Sequence, residues 1–288
     1  MEQTSKTGLV VEGGGMKCVY SAGILDAFLD EQISFDYCIG VSGGAGNTAS
    51  YLAGQRGRNL RFYAEHIHSA DYFGLISFLK TGFIFGLPYI YGTLTNSGGK
   101  DPLDFPALMK NPTQYEVVAT NSLTGQPEYF PKEKMQQDHY LEIMASCAIP
   151  VACRPIEING IPYFDGGISD SIPIHRAFAQ GCTKLVVILS KPRSYVRHPQ
   201  GMRFLYATIC RNYPKIVDII DHRHTAYNDL FQEILRLEQE GKIFLFAPSG
   251  NIHVGTYSMK EETERALYAE GLADFAARKE ELKAFLAK

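Results

Sequence analysis

The chain has 288 residues, 45% of them hydrophobic, and a formal net charge of −3. That is enough apolar material for one large core, and the charge balance gives no global attraction to nucleic acid or to anionic membranes. Cysteines at 18, 38, 147, 153, 182 and 210 form no Cys-x-x-Cys pair and no zinc spacing, so reduced thiols in a cytoplasm are expected.

The start, MEQTSKTGLVVEGGG, has no long apolar segment to be cleaved or to anchor the chain, and passes at once into an expected strand over 8–11. Glu12-Gly13-Gly14-Gly15 then break the chain, and Tyr20, Ile24, Ala27 and Phe28 recur at helical spacing. A second unit follows: a strand over 36–41, a turn at Ser42, and small residues leading into a helix through Leu52. Residues 72–90 are the longest apolar stretch, but Lys80, three glycines and Pro88 interrupt it, so it reads as a buried helix pair or a flap rather than a membrane span. Further strands are expected over 116–119 and 128–130, paired across Thr124-Gly125, then over 161–164 and 184–189.

Beyond about Ser190 the character becomes helical, with helices expected over 203–221 and 225–240, a last strand over 242–247, and one or two amphipathic helices over 258–288 carrying Leu282, Phe285 and Leu286. Arg193, Arg197, Arg203 and Arg211 form a local basic stretch that reads as a solvated face before it reads as a site for anionic head groups. Without repeats or a linker, the expected organisation is an α/β domain over 1–190 with a mainly parallel sheet, and a mainly helical extension over 191–288 packed on it.

Gly40-Val41-Ser42-Gly43-Gly44 matches Gly-x-Ser-x-Gly, a sharp strand-to-helix turn that lifts a serine hydroxyl out of the sheet edge. A glycine-rich packing turn would read the same way; the apolar run before it and the small residues after it favour the elbow. Gly13-Gly14-Gly15-Met16-Lys17 lies between a strand and a helix, where unpaired N–H groups and a helix dipole attract an anion. That anion is a tetrahedral oxyanion or a nucleotide phosphate; neither phosphate-loop spacing is complete here. Asp165-Gly166-Gly167 follows the 161–164 strand and supplies an acid at a strand end, a position also common for turn aspartates.

Together these stretches resemble the patatin-like phospholipase family, with its Gly-Gly-Gly-x-Arg/Lys-Gly loop, Gly-x-Ser-x-Gly and later Asp-Gly-Gly/Ala. The resemblance extends to ASCAIPVACRPIEINGIPYFDGG and VVATNSLTG and covers roughly residues 7 to 190. It implies a patatin-like three-layer sandwich with a helical C-terminal extension. It also implies a Ser-Asp dyad: Ser42 as nucleophile, Asp165 as base, Gly13, Gly14 and Gly15 around the oxyanion, and Lys17, Gly40, Gly43, Gly44, Gly166 and Gly167 in support. Cys18 and Ser171 depart from the pattern, standing where a glycine and an asparagine are common. The implied substrate is a lipid or fatty-acyl ester, met in the cytoplasm or at a membrane periphery. No metal or cofactor is expected, since no calcium loop or metal cluster is visible.

Two other readings arise from the residues. A Ser-Asp-His triad would recruit His175, His198, His222, His224 or His253, and a non-catalytic acyl-binding scaffold would result if Cys18 spoils the loop. The aromatic stretch 72–90 could line an acyl pocket, rest on a lipid surface, or simply pack.

Overall fold

The computed structural model describes residues 5–287, so part of the chain start, expected to be uncleaved, lies outside the described residues. β1 (Thr7–Val11) feeds α1 (Val19–Asp30), and β2 (Tyr37–Val41) feeds α2 (Gly43–Leu52). Three short helices, α3 (Arg58–Ala64), α4 (Leu75–Thr81) and α5 (Phe105–Lys110), precede β3 (Gln114–Asn121), which turns back as β4 (Pro127–Pro131). Then come α6 (Leu141–Ser146), β5 (Ile156–Ile158), β6 (Ile161–Asp165), α7 (Ile174–Ala179) and β7 (Lys184–Ile188). The chain closes with α8 (Arg203–Ile209), α9 (Pro214–Gln239), β8 (Ile243–Phe246) and α10 (Glu261–Ala287).

The strands form one sheet in the order β5-β6-β3-β2-β1-β7-β8, with β4 also on β3. The run β3-β2-β1-β7-β8 is parallel, and β4, β5 and β6 are antiparallel additions. Alternation explains the layers. In β1, Leu9 and Val11 face a core shared with α1, α2 and α10, while Val10 faces a second core closed by α7 and α9. Strands covered on both faces need apolar residues at every position, which is why β1, β2 and β7 read as continuous apolar runs. The result is an α/β sandwich of three layers, with C-terminal helices on both faces.

The C-terminal region departs from the expected elements at two points. The helix expected over 203–221 is two helices, because Pro214 forces Tyr213 out of helical geometry (φ −131°, ψ 65°) and itself starts α9, which then runs unbroken through the second boundary expected near 221–225. Of the segment expected as one or two helices, Glu261–Ala287 is a single helix, α10. It lies so close on α1 that a Cβ on Gly271 would sit 2.4 Å from the Tyr20 carbonyl oxygen and one on Gly23 2.3 Å from that of Tyr268. β5 was not expected; Asn159 and Gly160, both at positive φ, form the two-residue turn that pairs it with β6.

Strand β3 sets the positions of the motif-bearing strands. β2 pairs with positions 114–118 of β3, and β4 with 116–120, so these two occupy opposite edges. β6 pairs with 119–121, overlapping β4, and therefore shares the edge of β2. β2 and β6 thus meet head to head along a single edge, β2 ending with Val41 opposite Val118 and β6 ending with Asp165 opposite Ala119. Ser42 is the next residue after Val41.

Candidate active site

Ser42 caps the N-terminus of α2 with φ 54° and ψ −131°, a conformation costing a serine about 1–3 kcal/mol and sustained only by its surroundings. Its N–H donates to Ser146 Oγ of α6 at 2.7 Å, and its Oγ donates to Asp165 Oδ2 at 2.7 Å across 123 residues of sequence. The head-to-head strands make this meeting unavoidable, since the two residues occupy one register position of β3. Asp165 Oδ1 accepts from Gly167 N at 2.7 Å, which fixes the carboxylate plane. Both side chains are buried. Burial pushes the Asp165 pKa above the usual carboxylate range, and the hydrogen bonds from Ser42 and Gly167 and the charge of Arg223 oppose it.

The glycines keep side chains out of the space around the pair. A Cβ on Gly13 would stand 2.7 Å from Ser42 Cβ, one on Gly14 2.4 Å from Ser190 Oγ, and one on Gly15, at φ +60°, 2.5 Å from Thr256 O. A Cβ on Gly40 would meet Ala45, one on Gly43 Cys18 and Tyr63, and one on Gly44 would stand 2.5 Å from the Val11 carbonyl oxygen. A Cβ on Gly166 would stand 2.1 Å from the Val118 carbonyl oxygen, and one on Gly167 would meet Asp165 and Arg223. Among the described residues no acceptor pairs with the N–H groups of Gly13, Gly14 or Gly15. Unpaired donors at a loop beside a hydroxyl and a carboxylate can hold a developing oxyanion.

The site lies at the C-terminal ends of β1, β2 and β7, where successive parallel strands diverge to opposite sides of β1, the usual crevice of open α/β sheets. It opens into a cavity of about 500 Å³ whose wall includes Lys17, Ser171, Lys191, Arg197, Arg223 and Met202. A second, smaller cavity of about 70 Å³ reaches Ser42 from the other side, lined by Phe62, Tyr63, Tyr72, Phe85, Leu87 and Ile90. The stretch 72–90 therefore divides. Its buried aromatics line the small cavity, whereas Leu75 and Leu79 of α4 are more than 70% exposed, in place of a buried helix pair.

Cys18 lies on neither cavity wall. Its thiol donates to the Glu12 carbonyl at 3.6 Å, and burial pushes its pKa up to about 12, so it fills space beneath the loop as an inert group. Ser171 donates to the Gly167 carbonyl at 2.7 Å and so braces the Asp-Gly-Gly turn. Among the described residues no histidine hydrogen-bonds to Ser42 or Asp165; His175 faces Glu233 and His222 faces Asp218, while His198 and His224 stand on the wall of the large cavity. No group of three or more His, Cys, Asp or Glu among the described residues is placed to hold a metal.

Several residues of the site escape sequence reasoning. Ser146 holds the elbow from within the Ala145-Ser146 segment, where nothing distinguishes it from a helix-capping serine. Glu12 is buried and held by Ser190 N and Oγ, Lys191 Nζ and Tyr227 OH, which ties the loop after β1 to the end of β7 and to α9. Of the basic stretch, Arg193 pairs with Glu238 and Arg203 with Asp221, as a solvated face would, but Arg197 turns toward the cavity. Arg223, in the middle of α9, carries no motif at all.

Comparison with known proteins gives the chain its relatives. A sequence model described as patatin-like phospholipase matches residues 9–178, and one described as "Domain of unknown function (DUF6363)" matches 213–287. The chain is 28% identical over 258 residues to the uncharacterized protein YjjU of Escherichia coli (strain K12), a match spanning 87% of this chain and 71% of that protein. The crystal structure of VipD from Legionella pneumophila superposes with a TM-score of 0.47 at 15% identity, over 95% of this chain; the chain spans 66% of VipD. In the described residues no helix is long and apolar enough to cross a membrane. With more than half of its length matched by one family, and with that family's serine and aspartate motifs on one cavity, the chain belongs to the patatin-like phospholipases, a family of lipid acyl hydrolases.

Proposed function

We propose that the protein is a carboxylic-ester hydrolase of phospholipase A or lysophospholipase type that works through a Ser42-Asp165 dyad. The observation that carries this reading is the 2.7 Å hydrogen bond from Ser42 Oγ to Asp165 Oδ2 beside the unpaired N–H groups of the glycine loop. Asp165 takes the hydroxyl proton as Ser42 Oγ attacks the ester carbonyl, and its burial makes it a better acceptor than an ordinary aspartate. The negative charge that develops on the carbonyl oxygen is held by the loop Gly13–Gly15 and the N-terminal end of α2, whose first turn begins at Gly43. Ser42 N is occupied by Ser146, so the donors come from the glycine loop and Gly43. Collapse expels the alcohol, which takes the proton from Asp165; water then attacks the acyl-serine with Asp165 again as base.

Two further features support a lipid ester. The small cavity beside Ser42 is lined by aromatic and aliphatic groups suited to an acyl chain. At the rim of the large cavity, Met202 and Leu205 are exposed, next to Phe204 with 86% of its surface in solvent, a face suited to peripheral contact with a lipid aggregate. The catalytic unit is taken as 1–190 with 191–288 packed on it, and six free, buried cysteines fit a reducing cytoplasm.

The test combines a fluorophosphonate probe with fatty-acid release from lysophospholipid micelles. The wild-type protein should be labelled at Ser42 and release fatty acid, and Ser42→Ala should lose both. Labelling elsewhere, or more than a tenth of the hydrolysis surviving in Ser42→Ala, defeats the dyad. A folded protein that is never labelled is an acyl-binding scaffold instead.

A further inference from the structure

The large cavity holds an electrostatic imbalance that hydrolysis of a neutral ester does not require. Arg197 and Arg223 both line it, and among the described residues neither has a carboxylate partner. The Nε atoms of both arginines and Nδ1 of His224, on the same wall, are buried without a hydrogen-bond partner. Neighbouring cations are treated differently: Lys191 is bound by Glu12, Arg193 by Glu238 and Arg203 by Asp221. A guanidinium kept partly out of water without a counter-ion is costly, and two of them close enough to repel are costlier. Burial, with the charge of Arg197 behind it, pulls the Arg223 pKa down to about 10, so Arg223 remains charged at neutral pH.

Their positions are fixed. The Arg197 guanidinium carbon lies 4.9 Å from the centre of the Tyr227 ring, and the backbone N–H of Arg197 donates to Asn228 Oδ1 at 2.9 Å. Arg223 Nη2 lies 3.4 Å from where a Cβ on Gly167 would project, so it abuts the turn that orients Asp165. Ser42 lies between this basic space and the small apolar cavity, sharing a wall with each. An ester carbonyl on Ser42 would send its acyl chain toward Tyr72 and Leu87 and its alcohol portion toward the two arginines. Paired guanidinium forks suit the oxygens of a phosphate.

We propose that Arg197 and Arg223 form a phosphate subsite, so that the preferred substrates are acyl esters whose alcohol bears a phosphate group. This rests on the hydrolase reading for its catalytic consequence, but the subsite itself binds whether or not Ser42 reacts. The experiment therefore has two arms. In Ser42→Ala protein, calorimetry with glycerophosphate, inorganic phosphate and glycerol should show glycerophosphate binding at least 10-fold tighter than glycerol. Arg197→Gln/Arg223→Gln should weaken it at least 10-fold, and Arg197→Lys/Arg223→Lys should retain part of the affinity, with melting curves confirming that each variant is folded.

In protein that retains Ser42, kcat/KM is measured for a monoacyl glycerophosphate and for a monoacylglycerol. The ratio of the two should fall at least 10-fold in the Gln pair, and less in the Lys pair. Equal binding of glycerophosphate and glycerol, or an unchanged ratio in folded variants, overturns the proposal. Inorganic phosphate binding as tightly as glycerophosphate, with no preference in turnover, overturns the substrate role in favour of a site for free phosphate. Arginine-dependent glycerophosphate binding in a protein that cleaves neither ester upholds the subsite and defeats the hydrolase reading alone. If the Gln pair does not fold, the Lys pair decides by the same ratio.

Discussion

The two walls around Ser42 are built in opposite ways. On one side the loop after β1 and the turn after β2 bring bare backbone against the hydroxyl, and the glycines are there because a Cβ on Gly13, Gly44 or Gly166 would meet another atom within 2.7 Å. On the other side residues 191–224 contribute long side chains to the cavity wall, Lys191, Arg197, Arg223 and Met202. The first wall is rigid and general, offering donors to any carbonyl. The second is where a substrate can be chosen, because a side chain can change without refolding the sheet.

The comparison breaks most visibly at Asp165, the point where the backbone wall becomes chemistry. Asp165→Asn should keep the fold, by circular dichroism, and lose about 10³-fold in kcat for ester hydrolysis, the size expected for removal of a general base. A loss below 10-fold would transfer the role of base elsewhere.

Next in size is Gly166→Ala. The new methyl carbon would lie 2.1 Å from the Val118 carbonyl, so strand β3 or the turn must move. The expected cost is about 3 kcal/mol, seen as a Tm lower by roughly 6–12 °C. Arg223→Gln, on the side-chain wall, should shift Tm by less than Gly166→Ala, since no backbone has to move and the Arg223 Nε has no hydrogen-bond partner to lose. Similar losses at the two positions would dissolve the distinction between the walls.

The smallest effect sharpens it. As the base of the proposed dyad, Asp165 would act only when ionised, hence above its pKa, and the positive charge of Arg223 lowers that pKa against the larger effect of burial. Removing the charge must raise it. The acid limb of kcat/KM for a neutral ester should therefore move to higher pH in Arg223→Gln. A shift to lower pH would contradict the direction in which this arginine acts on the dyad.

The same contrast decides what could be read from the residues in order. Steric exclusion leaves glycine as its only solution, so the backbone wall is written plainly in Gly13-Gly14-Gly15, Gly40-Val41-Ser42-Gly43-Gly44 and Asp165-Gly166-Gly167. The parallel strands are equally plain, because burial on two faces demands unbroken apolar runs. The side-chain wall leaves no such trace: Arg223 sits in a helix whose Arg236 and His222 are solvated, and only tertiary placement separates it from them. β5 and the start of α9 were carried by short signals, Asn159-Gly160 and Pro214, beside weaker periodicity that pointed elsewhere. Ser146 was legible only as part of a segment, since a serine that accepts from a distant N–H looks like any serine.

The arrangement of β2 and β6 on a shared edge of β3 has a consequence for how the protein is born. Ser42 leaves the ribosome with its glycine loop well before Asp165 is synthesised, and α10, which locks α1 through Gly23 and Gly271, comes later still. A nascent or truncated chain ending before β6 thus exposes a hydroxyl with nothing to take its proton. In the dyad proposed above, hydrolytic power would arrive only when that distant segment docks.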